Sequence, residues 1–417
     1  MSRNTPPHDS APRTALVLAG GAARGAYEVG VVDHVVKEVA RSIGRPVPFD
    51  VLCGTSVGAL NACGMAAFVD RGPEDMMREV EQVWTSLRVK DLVKPDVRGI
   101  FQMGGRLLGR DAPLPRGVPI REGGLIAPEG LERLVATRIP FARIDENIAA
   151  GHLDALTVST THVATGKTVV YVHRKSSGPL DWSPDPTVIA RPAKITARHA
   201  LASAAIPILF RAVELDGDFH CDGGLRQNVP LSPARRLGAD RVFVINPRFI
   251  STTPLDDRES EHLFPGPLFL LGKTLNALLL DRIDTDLARL QTINRILEAG
   301  ARVAGDGFVS ALNREMGFAP GKGLRPMKAM LVRASADIGQ MAAEYVRSPA
   351  FQKIGGVQGT LMRRLSEPES RSESDLLSYV LFDGAFCGQL IELGRADARA
   401  RHEELCAFFA DKGGSTS

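Results

Sequence analysis

Cysteine is scarce in this chain: five residues, at 53, 63, 221, 387 and 406, with no C-x-x-C pair among them. An odd, scattered set argues against a disulfide framework and against a zinc site, and leaves the thiols as reduced, compact core residues. An excess of one charge is also missing. The net charge is +3 over 417 residues, too small to point to nucleic acid or to an acidic partner. Residues 1–13, MSRNTPPHDSAPR, lack the apolar core of a signal peptide, so they are expected to form a loose tail on a cytoplasmic protein. A Gly-Lys-Ser/Thr ending, which a P-loop requires, is absent after the first glycine cluster. What remains, at 44% hydrophobic and 24% charged, is the composition of a globular protein with a large core.

The chain is organised around Phe49 to Asn61, FDVLCGTSVGALN. Phe49, Val51 and Leu52 read as a buried strand, and the small residues from Val57 to Val69 as the helix that follows. Ser56 falls in the turn between them, inside G-x-S-x-G. A turn this tight presents the serine oxygen outward, and bulky residues at 54 and 58 would collide with it, which Gly54 and Gly58 avoid. The amide of Val57 opens the helix, so it points at whatever oxyanion forms when Ser56 attacks a carbonyl. Five residues alone do not separate this elbow from an ordinary glycine-rich turn.

A second loop supplies context. Thr14 to Leu18 is a short apolar run ending in Gly20, Gly21, Ala22, Ala23, Arg24 and Gly25, after which Val29, Val32, Val36 and Val39 carry helical spacing. Strand, glycine loop and helix suit a phosphate or an oxyanion. A dinucleotide fold would want glycine where Ala22 stands and an acidic residue at the end of the second strand, which here delivers Ser56 instead. An oxyanion loop beside a nucleophile explains both segments with one reaction.

Residues 86–122 set eight basic side chains against four acidic ones, among Phe101, Met103, Leu107 and Leu108. Such a segment suits transient contact with an anionic lipid surface, or a solvated loop whose apolar residues pack inward. Further on, HALASAAIPILF (His199 to Phe210) reads as a small-residue helix stopped by Pro207. FHCDGGLRQNVP (Phe219 to Pro230) reads as a strand ending in a turn. Gly223 and Gly224 let the backbone turn tightly and leave the Asp222 carboxylate accessible at the strand end. Asp222 is thus a candidate base for Ser56, with His220 and His199 as rivals.

Together these motifs resemble the patatin-like phospholipase family: GGAARGAY (Gly20 to Tyr27), GTSVG (Gly54 to Gly58) and DGG (Asp222 to Gly224) stand in its order, with ASAAIP (Ala202 to Pro207), Asn228 and Pro230 between and after them. The resemblance runs from about Thr14 to about Pro247. It implies an α/β fold, a three-layer α/β/α domain on a mainly parallel sheet, and a Ser56–Asp222 dyad cleaving acyl esters of phospholipids or other acyl-lipids. Amides of Gly20, Gly21, Ala22, Ala23 and Val57 would form the oxyanion hole, with no cofactor and no metal. Arg24 matches the family's basic loop position, while Ala22 departs from its usual glycine. A lipid acyltransferase using the same dyad, or a lipid-binding protein without turnover, would share the pattern.

Composition turns polar through Ser251 to Glu261, which divides an expected catalytic domain, 14–249, from an expected mostly α-helical region, 262–417. From Leu268 to Leu297 apolar residues recur at about 3.6 residues, predicting one long amphipathic helix. Lys273, Asp281 and Asp284 interrupt it too often for a membrane span. Its stripe is expected to pack on the catalytic domain. Gly355 to Ser374 reads as a loop, followed by helices over Asp375 to Phe386 and Cys387 to Ala410.

Overall fold

Strand β1, Thr14–Leu18, is buried along its whole length and alternates between two cores, with Leu16 and Leu18 in one and Ala15 and Val17 in the other. A strand apolar on both faces must be covered on both, so helices flank the sheet on either side and three layers result. The computed structural model describes residues 12–94, 96, 124–176, 180, 182, 185–227, 229–250, 283–318, 323–352, 359, 362–363 and 373–411.

The other strands are β2 Val51–Thr55, β3 Ala155–His162, β4 Thr168–Arg174, β5 Val188–Pro192, β6 Val213–Leu215, β7 Asp218–Asp222, β8 Arg241–Asn246 and β9 Lys328–Arg333. Their order across the sheet is β5-β4-β3-β2-β1-β8-β9, with β7 on β3 and β6 on β7. β1 runs parallel to β2 and β8, β2 to β3, β4 to β5 and β8 to β9, whereas β3–β4, β3–β7 and β6–β7 are antiparallel. The sheet is therefore mainly parallel. The chain moves to one side of β1 through β2 and β3 and later to the other through β8 and β9, so the crevice beyond the carboxyl end of β1 is a natural ligand site.

One face of the sheet carries the helices Ala26–His34, Val57–Phe68 and Pro73–Thr85 and most of the C-terminal helices, which share a core with Leu16, Leu52 and Phe243. The other carries Leu231–Arg236 and Ile283–Ala304, through Leu231, Ala234, Ile283 and Leu290. The region after residue 262 is mostly helical, and it also supplies β9, which extends the same sheet beside β8. It thus shares its core with the residues before 249.

The helix expected from the Leu268–Leu297 spacing is present from Ile283, and its stripe packs inward as expected, with Ile283, Leu290 and Leu297 buried. Residues 268–282 lie outside the described residues. So do residues 1–11 of the expected tail, Asn228, most of 355–374, and all of 86–122 except 86–94 and 96. Within that last segment Leu87, Val89, Leu92 and Val93 are buried. Among the described residues no helix is long and apolar enough to cross a membrane.

Candidate active site

Ser56 sits between the end of β2 and the first turn of the helix Val57–Phe68, at φ 55° and ψ −128°. A positive φ in a non-glycine residue costs about 1–3 kcal/mol and persists only where the surroundings enforce it. Here the enforcement is steric. A Cβ at Gly54 would stand 2.4 Å from the Gly58 carbonyl oxygen, and one at Gly58 would stand 2.4 Å from that of Leu18. The turn closes only because both are missing.

Register brings Asp222 to this serine. β4 occupies one edge of β3 from Ala155 to Thr161, so β2 and β7 must share the other. β2 ends with Thr55 opposite Ser159, and β7 ends with Asp222 opposite Thr160, the next residue along. Two strands that run toward each other therefore meet end to end. Ser56 Oγ donates to Asp222 Oδ2 at 2.6 Å, and the Gly224 amide, just past Gly223 in the turn, donates to Oδ1 at 2.7 Å. Ser56 is 1% exposed and Asp222 0%. Burial pushes the Asp222 carboxyl up to about 7, against the lowering effect of those two donors.

One segment holds both residues. The Ser56 amide donates to Ser203 Oγ at 2.8 Å, and that hydroxyl donates to the Ser159 carbonyl at 2.6 Å. The Asp222 amide donates to the Ala205 carbonyl at 2.9 Å, and the Gly223 amide to that of Ser203 at 3.4 Å. Ser203 and Ala205 belong to ASAAIP, whose sequence signalled importance without saying what it touches. The helix Ala197–Ser203 thus ends as a bracket between the elbow and the β7 turn.

The rival histidines are engaged elsewhere. His220 Nδ1 lies 3.0 Å from Thr160 Oγ1 and its Nε2 3.3 Å from Tyr171 Oη. His199 Nδ1 accepts from the Thr196 amide, and its ring meets the Tyr171 ring edge-on. Burial lowers both to about 4, which keeps them neutral at pH 7.

The glycine loop follows β1 and lies against the elbow. Gly58 packs on the carbonyls of Leu18 and Ala19, and a Cβ at Gly25 would meet Val57 Cγ1 at 2.6 Å. Gly20 and Gly21 lead into a short 3-10 turn over Ala22–Gly25. Ala22 takes φ 48°, a left-handed conformation that explains the preference for glycine there. Arg24 is buried: its Nε donates to Ser378 Oγ at 2.7 Å, and its guanidinium lies 4.3 Å from the centre of the Tyr379 ring. Behind the loop, Asn61 Nδ2 donates to the Gly25 carbonyl at 2.9 Å and to Glu28 Oε2 at 2.8 Å, while Trp84 Nε1 donates to Asn61 Oδ1. Burial holds the Glu28 carboxyl well above the usual carboxylate range. Spacing along the chain gave no sign of this network.

A three-layer sandwich with a serine on a strand–helix elbow, bonded to a buried carboxylate, has the build of an α/β hydrolytic domain. The patatin-like phospholipase family model matches residues 16–235, more than half of the chain, and the chain belongs to that family. It is 26% identical over 235 residues to the uncharacterized protein YjjU of Escherichia coli (strain K12), across 56% of this chain and 51% of that one. The chain thus spans about half the length of that relative. Among solved structures it is similar to VipD from Legionella pneumophila, at 13% identity and a TM-score of 0.29 over 92% of this chain and 67% of that one.

Proposed function

We propose that this protein is a serine acylhydrolase that cleaves fatty-acyl esters of phospholipids or lysophospholipids through a Ser56–Asp222 dyad. The observation that carries the reading is the 2.6 Å hydrogen bond from Ser56 Oγ to a carboxylate with no other side-chain donor among the described residues. As Oγ bonds to the ester carbon, its proton passes to Asp222. The oxyanion that develops faces the Val57 amide, which begins a helix and has no intrahelical partner, and the amides of Gly20 to Ala23. Asp222 then returns the proton to the departing alkoxide. Water, deprotonated by the same carboxylate, attacks the acyl-serine; as the intermediate collapses Asp222 gives that proton to Ser56 Oγ and the fatty acid is released. A base near pH 7 suits both half-reactions, since it takes and gives a proton close to neutrality. Neither half-reaction calls on a metal.

The test is incubation of the purified protein with mixed phospholipid vesicles, with and without a chelator, and identification of the products. Free fatty acid that is insensitive to chelator is expected. Ser56→Ala should release none and should lose labelling by a fluorophosphonate while remaining folded. Labelling that survives Ser56→Ala would move the nucleophile elsewhere, and acyl transfer to an added alcohol in excess of hydrolysis would favour an acyltransferase.

A further inference from the structure

Glu28 stands in the first turn of the helix Ala26–His34, directly after the glycine loop, and is 0% exposed. A carboxylate so placed needs a cation or several donors to replace its water. No ion pair reaches it among the described residues, and the charged groups of the surrounding elements are engaged with other partners: Arg24 with Ser378, Asp33 with Lys37 and Arg395, Glu81 with Arg395, Asp397 with the Tyr27 hydroxyl, and Asp222 with Ser56. Glu28 Oε1 has no hydrogen-bond partner among the described residues, while Oε2 accepts from Asn61 Nδ2 at 2.8 Å. This is the arrangement of a carboxylic acid, with Oε2 as its carbonyl and the proton on Oε1. Burial favours the same state, against the lesser pulls of the Asn61 amide and the Ala19 backbone amide.

The surroundings tie this acid to both ends of the loop. Trp84 Nε1 can only donate, so its bond to Asn61 Oδ1 fixes which way the Asn61 amide faces. Both Nδ2 hydrogens are then spent, one on the Gly25 carbonyl and one on Glu28. Gly25 closes the loop, and Ala19, whose amide faces the same carboxyl, precedes its first glycine. Between these ends Ala22 is held at φ 48°, a strained conformation that persists only where its surroundings enforce it. Asn61 also belongs to the elbow helix, which begins right after Ser56, so its contacts set the loop against the nucleophile. A charge on Glu28 would instead draw the Ala19 amide and the positive end of its own helix to itself, and would repel an oxyanion forming against the loop amides.

We infer that Glu28 is a positioning residue for the acylation of Ser56: as an uncharged acid it sets the glycine loop against the nucleophile through Asn61, and it disables the oxyanion site when it ionises. This rests on the acylhydrolase reading, so two readouts are needed, one of which requires no turnover.

The first is the pH profile of kcat for p-nitrophenyl butyrate, with a melting curve at each pH to set unfolding apart. The parent protein should gain activity with pH as Asp222 ionises and lose it again at alkaline pH as Glu28 does. Glu28→Leu should lower kcat by about 10²-fold, as loss of an oxyanion donor does, with KM little changed. Glu28→Gln, which has the shape and the donor of the neutral acid, should recover most of that loss and show no alkaline fall. The second readout is the rate at which a fluorophosphonate labels Ser56, because its phosphoryl oxygen takes the same amides. Labelling should slow at alkaline pH in the parent protein and not in Glu28→Gln. That labelling pattern without hydrolysis of any ester would sink the acylhydrolase reading and leave Glu28 its place. An alkaline fall that persists in Glu28→Gln, in either readout, would overturn the assignment alone, as would a Glu28→Leu protein that keeps the parent kcat. Should Glu28→Leu fail to fold, the Glu28→Gln profiles still decide.

Discussion

Asp222 is destabilising as a carboxylate and useful for that reason. Its folded-state affinity for a proton, near pH 7, lies above the ordinary carboxylate value of 3.8, so between those limits the folded chain binds more protons than the unfolded one. Stability from this group is full below about pH 4 and is lost as pH rises through 7. Asp222→Asn carries no such charge. It is expected to melt higher than the parent protein at pH 8, by up to about 4 kcal/mol in stability, with the difference shrinking toward pH 4. Its activity should meanwhile fall at least ~10²-fold. Matched melting curves and rate assays across that range check both, and a lower melting point at pH 8 would refute the buried-charge account. In the parent protein kcat/KM should rise with pH through about 7. His220→Ala should keep most activity, since its partners are Thr160 and Tyr171. Ser203→Ala orphans the Ser56 amide, which costs about 1–3 kcal/mol. It should lower kcat more than it raises KM, with Ser203→Thr restoring part of the rate. Ser56 and Asp222 were legible in the sequence because glycines flank them in fixed patterns. Ser203 was not, because a buried hydroxyl's partner depends on a register between distant segments.

At the level of whole elements, the strands and the elbow could be read from apolar runs, but helix docking could not. The helix Ala26–His34 crosses the helix Gly384–Ala400 so closely that a Cβ at Gly30 would lie 1.9 Å from the Ile391 carbonyl oxygen, and one at Gly394 would lie 2.2 Å from that of Tyr27. Around the crossing, Tyr27 Oη donates to Asp397 at 2.9 Å, and Arg395 Nε donates to Asp33 at 2.8 Å. The sequence marks both segments as helical without saying which face meets which, since pairing is decided by three-dimensional fit. Gly30→Ala is expected to force the helices apart and destabilise the fold by about 1–3 kcal/mol or more. Thermal unfolding checks it; an unchanged melting point would mean that the crossing relaxes freely. Because the first of these helices continues directly from the glycine loop, the same variant should also lower kcat.

Over the whole molecule, the boundary suggested by the polar stretch after residue 250 follows composition, while the core ignores it. β9 covers β8, and the helix Glu373–Val380 covers Arg24. The described residues on either side of 250 therefore stand or fall together, and a chain ended at residue 249 is expected to be insoluble or unfolded when expressed. A cooperative melt from that fragment would refute this. The Arg24–Ser378 contact joins residues 354 positions apart. During synthesis, at about 5–20 residues per second, Arg24 waits on the order of tens of seconds before its partner is made. A ribosome-bound chain thus carries Ser56 early and its braced glycine loop last. Nascent chains stalled before residue 378 should leave Ser56 unlabelled by a fluorophosphonate, whereas released full-length chains should label. Labelling of Ser56 would then appear only once the segment that carries Ser378 has left the exit tunnel.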